Sequence, residues 1–310
     1  MKVITFATKE GGALKFLKQS FHRLSDSTLH EFITVGWGEA WNGFGDRLIK
    51  YRNKIAELDS NDVCLVIDGY DVLLTGDLTS FEEQYRSTGH NKVVFSTESH
   101  ETFFDRVGNR CIMGEPIKTD RGEVCICAGA FIGTAGAIVD MMNRVIDPGY
   151  CDHRYADDQY LLTKLCRENP LVYEYDQDND WFLTWYDYGG GENMKKDIVL
   201  NKDGTLTYKN RTTIFVLHRQ FAADLADTIL ALGYVMTEED IIAVKRDPDY
   251  HMKFFKHHLH HRWYITAAPV KIILILLVFA LTLIVIYLLY AQPWNNEFVS
   301  DDRRPRPLQR

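Results

Sequence analysis

The sequence is short of positive charge. Lysine and arginine total 35 against 43 aspartates and glutamates, for a net charge of −8. No basic stripe runs through the globular part, which argues against nucleic-acid binding, because such proteins carry a clustered cationic footprint. An acidic surface of this kind chiefly serves solubility. Cysteine is thin as well. Six in 310 residues is too few for a disulfide-stapled secreted fold, although an even count leaves pairing open beside reduced thiols. Cys64 lies in an apolar run and reads as a core thiol. Cys125-x-Cys127 is too tight for a zinc knuckle, and no His/Cys pair follows at ligand spacing. The first residues, Met1 to Ala7, contain no long apolar stretch and no small-residue cleavage site, so a cleavable signal peptide is not expected. Internal repeats and low-complexity segments are absent. Asp176-x-Asp178-x-Asp180 opens like a calcium loop but lacks the glycine and the closing glutamate of one.

What is present is an alternation of strand and helix patterns. Val3–Ala7, Phe32–Val35, Val63–Ile67, Val93–Ser96, Ile126–Ile132 and Ile214–Leu217 read as strands. Helical spacing of apolar residues runs through 13–24, 47–58, 78–85, 136–145, 158–166 and 222–232. The continuous apolar run Val63-Cys-Leu-Val-Ile67 suits a central parallel strand buried on both faces. The alternation predicts an α/β layered sheet with ligands at the carboxyl ends of its strands.

One long apolar run stands apart. Ile272 to Tyr290 is 19 residues without a charge, about 28 Å as a helix and close to the hydrocarbon thickness of a bilayer. Trp263, Tyr264, Tyr287, Tyr290 and Trp294 border it as interfacial aromatics do. A buried core helix seldom stays apolar on every face for this length, so a transmembrane helix is predicted. Lys253, Lys256, Arg262 and Lys271 precede it and Arg303, Arg304, Arg306 and Arg310 follow it, a balance that leaves the positive-inside rule undecided. Without a leader, a single-pass tail anchor with a cytosolic globular domain is expected, and the luminal side stays open. The His257-His258-Leu259-His260-His261 run reads as a juxtamembrane stretch near headgroups, with metal binding as the alternative. The domains expected are 1–250 globular, 251–271 juxtamembrane, 272–290 transmembrane and 291–310 a disordered tail.

Asp68 and Asp71 carry the sharpest chemistry. Two carboxylates three residues apart, directly after a buried strand, can converge on a hard divalent cation such as Mn²⁺ or Mg²⁺. The same spacing also suits a turn capped by Asp. Tyr70 lies between them, where its ring could stack on a base. His218 ends an apolar strand and can complete a metal shell or serve a purely structural role. Asp157-Asp158 opens a helix, so N-capping competes with a sugar- or acceptor-facing carboxylate. Trp37 and Trp41 sit in a glycine-containing loop and suit either a ligand wall or packing.

Seven stretches taken in order, VITFAT from Val3, GWGEAW from Gly36, VIDGYDVLLTG from Val66, VVFSTE from Val93, GAFIG from Gly129, DDQYLLTKL from Asp157 and FVLH from Phe215, resemble the glycosyltransferase domain of the procollagen lysyl hydroxylases and, less closely, the collagen galactosyltransferases. The likeness spans roughly residues 2 to 235. It implies a GT-A-type, Rossmann-like mixed sheet flanked by helices, a UDP-sugar donor (UDP-glucose or UDP-galactose) and Mn²⁺ or Mg²⁺. It implies Asp68, Asp71 and His218 as metal ligands, Tyr70 as the uracil-stacking residue, and Ala7 and Thr8 in the nucleotide pocket, with Trp41 as a candidate wall. Asp157 and Asp158 would lie near the transferred sugar. The family's Asn-Ser-Gly-Gly is here Cys127-Ala128-Gly129-Ala130, and its His-Gly-Asn-Gly is here His218-Arg219-Gln220-Phe221, which makes Arg219 a candidate diphosphate contact on charge alone. A tryptophan expected soon after the Ser-x-Glu stretch is missing, with Phe103 and Phe104 nearby, and the family's hydroxylase domain is replaced by the apolar run. The function expected is hexose transfer, glucose or galactose, to a hydroxyl acceptor on protein (hydroxylysine included) or glycan. A non-catalytic nucleotide-sugar-binding membrane protein and a UDP-sugar hydrolase are the alternatives.

Overall fold

The structure is a computed structural model that describes residues 1–89, 91–98, 115–146, 156–185, 194–209, 214–219, 225–244, 256, 259–260 and 268–291. The expectations that rest on Phe103, Phe104, Cys111, Cys151, Gln220, Phe221, most of the histidine run and the C-terminal tail lie outside these residues. The chain divides into two compact units, Met1–His261 and Arg262–Arg310.

In chain order the first unit contains β1 (Lys2–Phe6), α1 (Leu14–Leu24), β2 (Glu31–Val35), α2 (Phe44–Ile55), β3 (Val63–Asp68), β4 (Val72–Leu74), α3 (Leu78–Ser87), β5 (Val94–Thr97), β6 (Ile117–Thr119), β7 (Gly122–Val124), β8 (Ile126–Thr134), α4 (Ala135–Ile146), α5 (Asp158–Glu168), β9 (Glu174–Tyr175), β10 (Phe182–Thr184), β11 (Ile198–Leu200), β12 (Leu206–Tyr208), β13 (Val216–His218), α6 (Leu225–Ala231) and α7 (Glu238–Val244). Six strands form the central sheet in the order β2-β1-β3-β8-β5-β9. β1 is parallel to β2 and β3. β8 runs antiparallel to both β3 and β5, so the sheet is mixed.

Strand alternation explains how β3 is buried on both faces. Cys64 and Val66 face one core, where Leu48, Tyr51 and Ile55 of α2, Ile138 and Met142 of α4 and Leu162 of α5 pack. Val63, Leu65 and Ile67 face the other, against Leu14, Leu17 and Phe21 of α1 and Phe81 and Tyr85 of α3. Period-two side-chain direction sends neighbours to opposite layers, and an apolar residue at every position suits a strand covered on both sides. The parallel partner predicted for it is present on one edge only, because β8 enters from the other direction.

A second sheet, β10-β13-β4, sits beside the first. Its core gathers Leu73, Leu183 and Leu217 with Leu225 and Ile229 of α6. β13 is parallel to β10 and antiparallel to β4, with His218 opposite Val72. These three-residue strands are too short to show a period in the sequence. Cys64, Cys125, Cys127 and Cys166 are buried thiols, with no disulfide among them.

In the second unit α8 (Ala268–Ala291) is a continuous helix. Its stretch Val270–Tyr287 is long and apolar enough to cross a membrane, and none of it is buried. Side chains such as Ile272, Phe279 and Leu281 are more than half exposed.

Leu65 is fully buried at the middle of β3. Truncation there removes transfer energy and leaves a cavity. Leu65→Ala should therefore cost about 3 kcal/mol, lowering the urea midpoint of the globular unit without changing the slope of the transition.

Candidate metal and nucleotide site

The site forms where the two sheets meet. β3 ends on Asp68, the next two residues turn, and Asp71 leads directly into β4. One carboxylate therefore belongs to the central sheet and the other to the entrance of the second. β13 pairs with β4 and delivers His218 to the same corner, and the Arg219 amide donates to the Asp71 carbonyl at 2.8 Å. One ligand atom from each of Asp68, Asp71 and His218 lies within 4.8 Å of the others. His218 Nε2 is 3.4 Å from Asp71 Oδ1 and 3.9 Å from Asp68 Oδ2. Two carboxylate oxygens and an imidazole could hold a divalent cation. Burial alone would discharge the His218 imidazolium, but Cys127 and Asp71 outweigh it and hold it well above the ordinary imidazole range. The corner thus attracts positive charge.

Gly129 on β8 makes this convergence possible. A Cβ there would stand 2.3 Å from His218 Cε1 and 2.8 Å from Asp68 Oδ2, distances no side chain tolerates. The Cys127 Sγ touches His218 Nδ1 at 3.2 Å from the same strand.

Tyr70 projects from the turn and is about a third exposed. Its hydroxyl accepts from the Thr8 amide at 3.0 Å and donates to the Lys9 carbonyl at 3.0 Å. Its own carbonyl accepts from the Ala13 amide at 2.8 Å. Gly12, at φ +51°, lies so close beneath it that a Cβ would meet the Tyr70 carbonyl oxygen at 2.6 Å. The ring is thereby fixed against the loop after β1, with Thr8 at its tip. Ala7 is fully buried in the core beneath, so its side chain lines no open surface. Trp41 is half exposed and packs edge-on against Phe6 and Phe44, with ring centroids at 5.6 and 5.1 Å.

The Asp157-Asp158 pair divides its work. Asp157 caps α5, accepting from the Tyr160 amide at 2.9 Å. Asp158 is buried and receives Arg47, whose Nε donates to Asp158 Oδ2 at 3.0 Å and whose Nη2 donates to the same oxygen. The third nitrogen of that guanidinium, Nη1, donates to Asp68 Oδ1. Arg47 therefore ties the metal-side carboxylate to the one on α5. Burial pushes the Asp158 carboxyl up to about 6, and Arg47 offsets only part of that. Burial also works against the Arg47 charge, but Asp158 and Asp68 hold it well above its usual range, so the group that titrates is the carboxyl.

Arg47 was not singled out by sequence reasoning. The available signal was a charge on the apolar face of α2, one turn before Tyr51 and beside Leu48. Glu98 was also passed over, although it accepts from Gln159 Nε2 at 2.7 Å beside Asp158 in the chain. Arg219 is placed in the interior, its guanidinium over the Trp185 ring at 3.8 Å, and not in an open cleft. The acidic run at 176–180 makes no cation shell: Asp176 accepts the amides of Asp180, Trp181 and Phe182 at 2.8 to 2.9 Å.

The model of one family, described as the PLOD GT domain, matches residues 1–182. The chain belongs to this family. Its matched segment holds Asp68, Asp71, Arg47 and Asp158, while His218 lies beyond it. Procollagen-lysine,2-oxoglutarate 5-dioxygenase of Drosophila melanogaster is 25% identical over 238 residues, covering 70% of this chain. The chain spans 30% of the length of that relative. Among solved structures, the galactosyltransferase LgtC in complex with donor and acceptor sugar analogues covers 77% of this chain and 98% of its own, at 15% identity and a TM-score of 0.40. An active-site mutant of LgtC has the same coverage, at 13% identity and a TM-score of 0.43. Membership of a glycosyltransferase-domain family and the mixed sheet flanked by helices agree with the GT-A-type fold expected of the resemblance.

The raised Asp158 carboxyl has a measurable consequence. Its folded value, about 6, exceeds the ordinary 3.8, so the unfolded chain releases this proton first. The stability it contributes is complete below about pH 4 and is lost as pH rises through 6, by ~3 kcal/mol at one unit per 1.4 kcal/mol. In the metal-free protein, denaturant melts between pH 4 and 7 should show this decline, and Asp158→Asn should flatten it relative to the wild type.

Proposed function

We propose that the chain is a metal-dependent hexosyltransferase that moves glucose or galactose from a UDP-sugar to a hydroxyl acceptor on protein or glycan. The observation that carries this reading is the meeting of Asp68, Asp71 and His218 within 4.8 Å at the junction of two sheets. These residues would hold Mn²⁺ or Mg²⁺, which when bound neutralises charge on the departing diphosphate.

The remaining residues supply position. Tyr70 offers an anchored ring face for the uracil, flanked by Thr8 and the loop after β1. Trp41, half exposed, would offer a second aromatic face. Arg47 occupies Oδ2 of Asp158, and the other oxygen of that carboxylate would orient a hydroxyl or take its proton. Asp157 acts one step back, by fixing the start of α5. Arg219 reaches a diphosphate only through movement of its buried guanidinium, and its backbone tie to Asp71 is the stronger reason for its place.

A second reading, a nucleotide-sugar-binding protein without turnover, draws on β8. Cys127, Ala128, Gly129 and Ala130 are all buried and bring no side-chain hydroxyl or amide to a sugar. A donor screen separates the readings. With Mn²⁺ and a panel of UDP-sugars, UDP release is expected from the wild type, and Asp71→Ala should reduce it at least about 100-fold, the scale of several kcal/mol of lost charge stabilisation. UDP binding with no release from any donor would favour the second reading. Release that is indifferent to added acceptors would point to a UDP-sugar hydrolase.

The apolar α8 supports anchoring in a membrane as a single-pass protein. Alkaline carbonate should leave the full chain in the membrane pellet, while a chain with Leu276, Val278 and Leu281 all changed to Lys should move to the supernatant, since each charge near a helix centre costs about 3 kcal/mol.

A further inference from the structure

An imidazole binds a metal through one nitrogen only if that nitrogen carries a lone pair, and the bond made by its other nitrogen decides this. In His218, Nε2 faces the two carboxylates. Its Nδ1 faces the Cys127 Sγ at 3.2 Å, and both groups are buried. Cys127 and Gly129 both meet the imidazole, at a stretch where the register of β8 against β5 shifts. The first touches Nδ1, and the second leaves the gap into which the Cε1 edge fits. The imidazole is therefore seated by one strand at two points, one of contact and one of clearance. Metal-bound histidines commonly donate their second ring N–H to a carboxylate or a carbonyl, and here a sulfur stands in that place.

We propose that Cys127 is a positioning residue of the metal site: it accepts the Nδ1–H of His218 and thereby fixes the tautomer and ring plane that turn the Nε2 lone pair toward Asp68 and Asp71. The inference rests on the metal reading of that triad. It also assigns a function to the buried stretch of β8 that offers nothing to a sugar. Cys127 does not touch the ion.

The test uses the full chain in detergent, with Mn²⁺ alone as the probe. Free Mn²⁺ is followed by paramagnetic resonance for the wild type, Cys127→Ser, Cys127→Val and Cys127→Ala, and thermal melts check that each folds. Serine keeps an acceptor and should bind within about threefold of wild type. Valine fills the space without an acceptor and, like alanine, should bind about 10- to 100-fold more weakly. Retention by valine and loss by serine would mean that Cys127 only packs, and the proposal would fall. A thiolate-to-metal charge-transfer band in the cobalt-substituted protein would also overturn it, by making Cys127 a ligand. Nitrogen shifts of His218 in the metal-free wild type decide the tautomer independently. The shifts are read at a pH high enough for the ring to be neutral: a proton on Nδ1 alone supports the proposal, and a proton on Nε2 alone sinks it even if every variant misfolds. Failure of the wild type to bind Mn²⁺ would sink the triad reading instead, and the tautomer would still report on Cys127.

Discussion

Two carboxylates and an imidazole share one corner of this fold, and the structure around them is arranged to bear that cost. Like charges about 4 Å apart repel by about 4 kcal/mol at the effective dielectric of a protein surface, and burial adds to the penalty. Each member is accordingly tied from outside. Arg47 draws on one oxygen of Asp68, His218 lies against Asp71, and Cys127 holds the far side of His218.

The same ties spread the site through the molecule. Arg47 comes from α2, Asp68 from the central sheet, Asp71 from the entrance to the second sheet, His218 from β13 and Asp158 from α5. Removing one partner of such a buried pair strands the other, at about 3 to 5 kcal/mol, so stability and chemistry cannot be altered separately here. Glycine has a related part. At Gly129 and Gly12 the backbone approaches His218 and Tyr70 more closely than any Cβ allows, and the close approach holds those two rings in place.

Family membership and site geometry divide the functional case between them. The family match reaches residue 182 and thus covers the acidic turn, Arg47 and Asp158. His218, the third member of the cluster, lies beyond it and reaches the others through the pairing of β13 with β4. The apolar helix α8 is a different kind of element, continuous over Ala268–Ala291 and with none of Val270–Tyr287 buried.

The sequence by itself determined the layered α/β class, the main strands and most helices, because long runs impose a period of two or 3.6 that neighbours cannot disguise. It also marked Asp68, Tyr70 and Asp71, which stand together in the chain, and the apolar helix, whose composition is extreme on every face. It left open whether the acidic turn was a metal site or a cap, and which partners Asp157 and Asp158 have. Tertiary structure brings His218 to the turn, makes Asp157 a helix cap and pairs Asp158 with Arg47. His218 enters the site because β13 pairs with β4 across about 150 residues of chain, an event no local pattern encodes. Arg47 and Cys127 become site residues only through packing of α2 and β8, since a buried arginine or thiol reads in sequence as an ordinary surface charge or core filler. Antiparallel entry of β8, which made the sheet mixed, was invisible for the same reason: strand direction belongs to pairing, and apolar runs look alike either way.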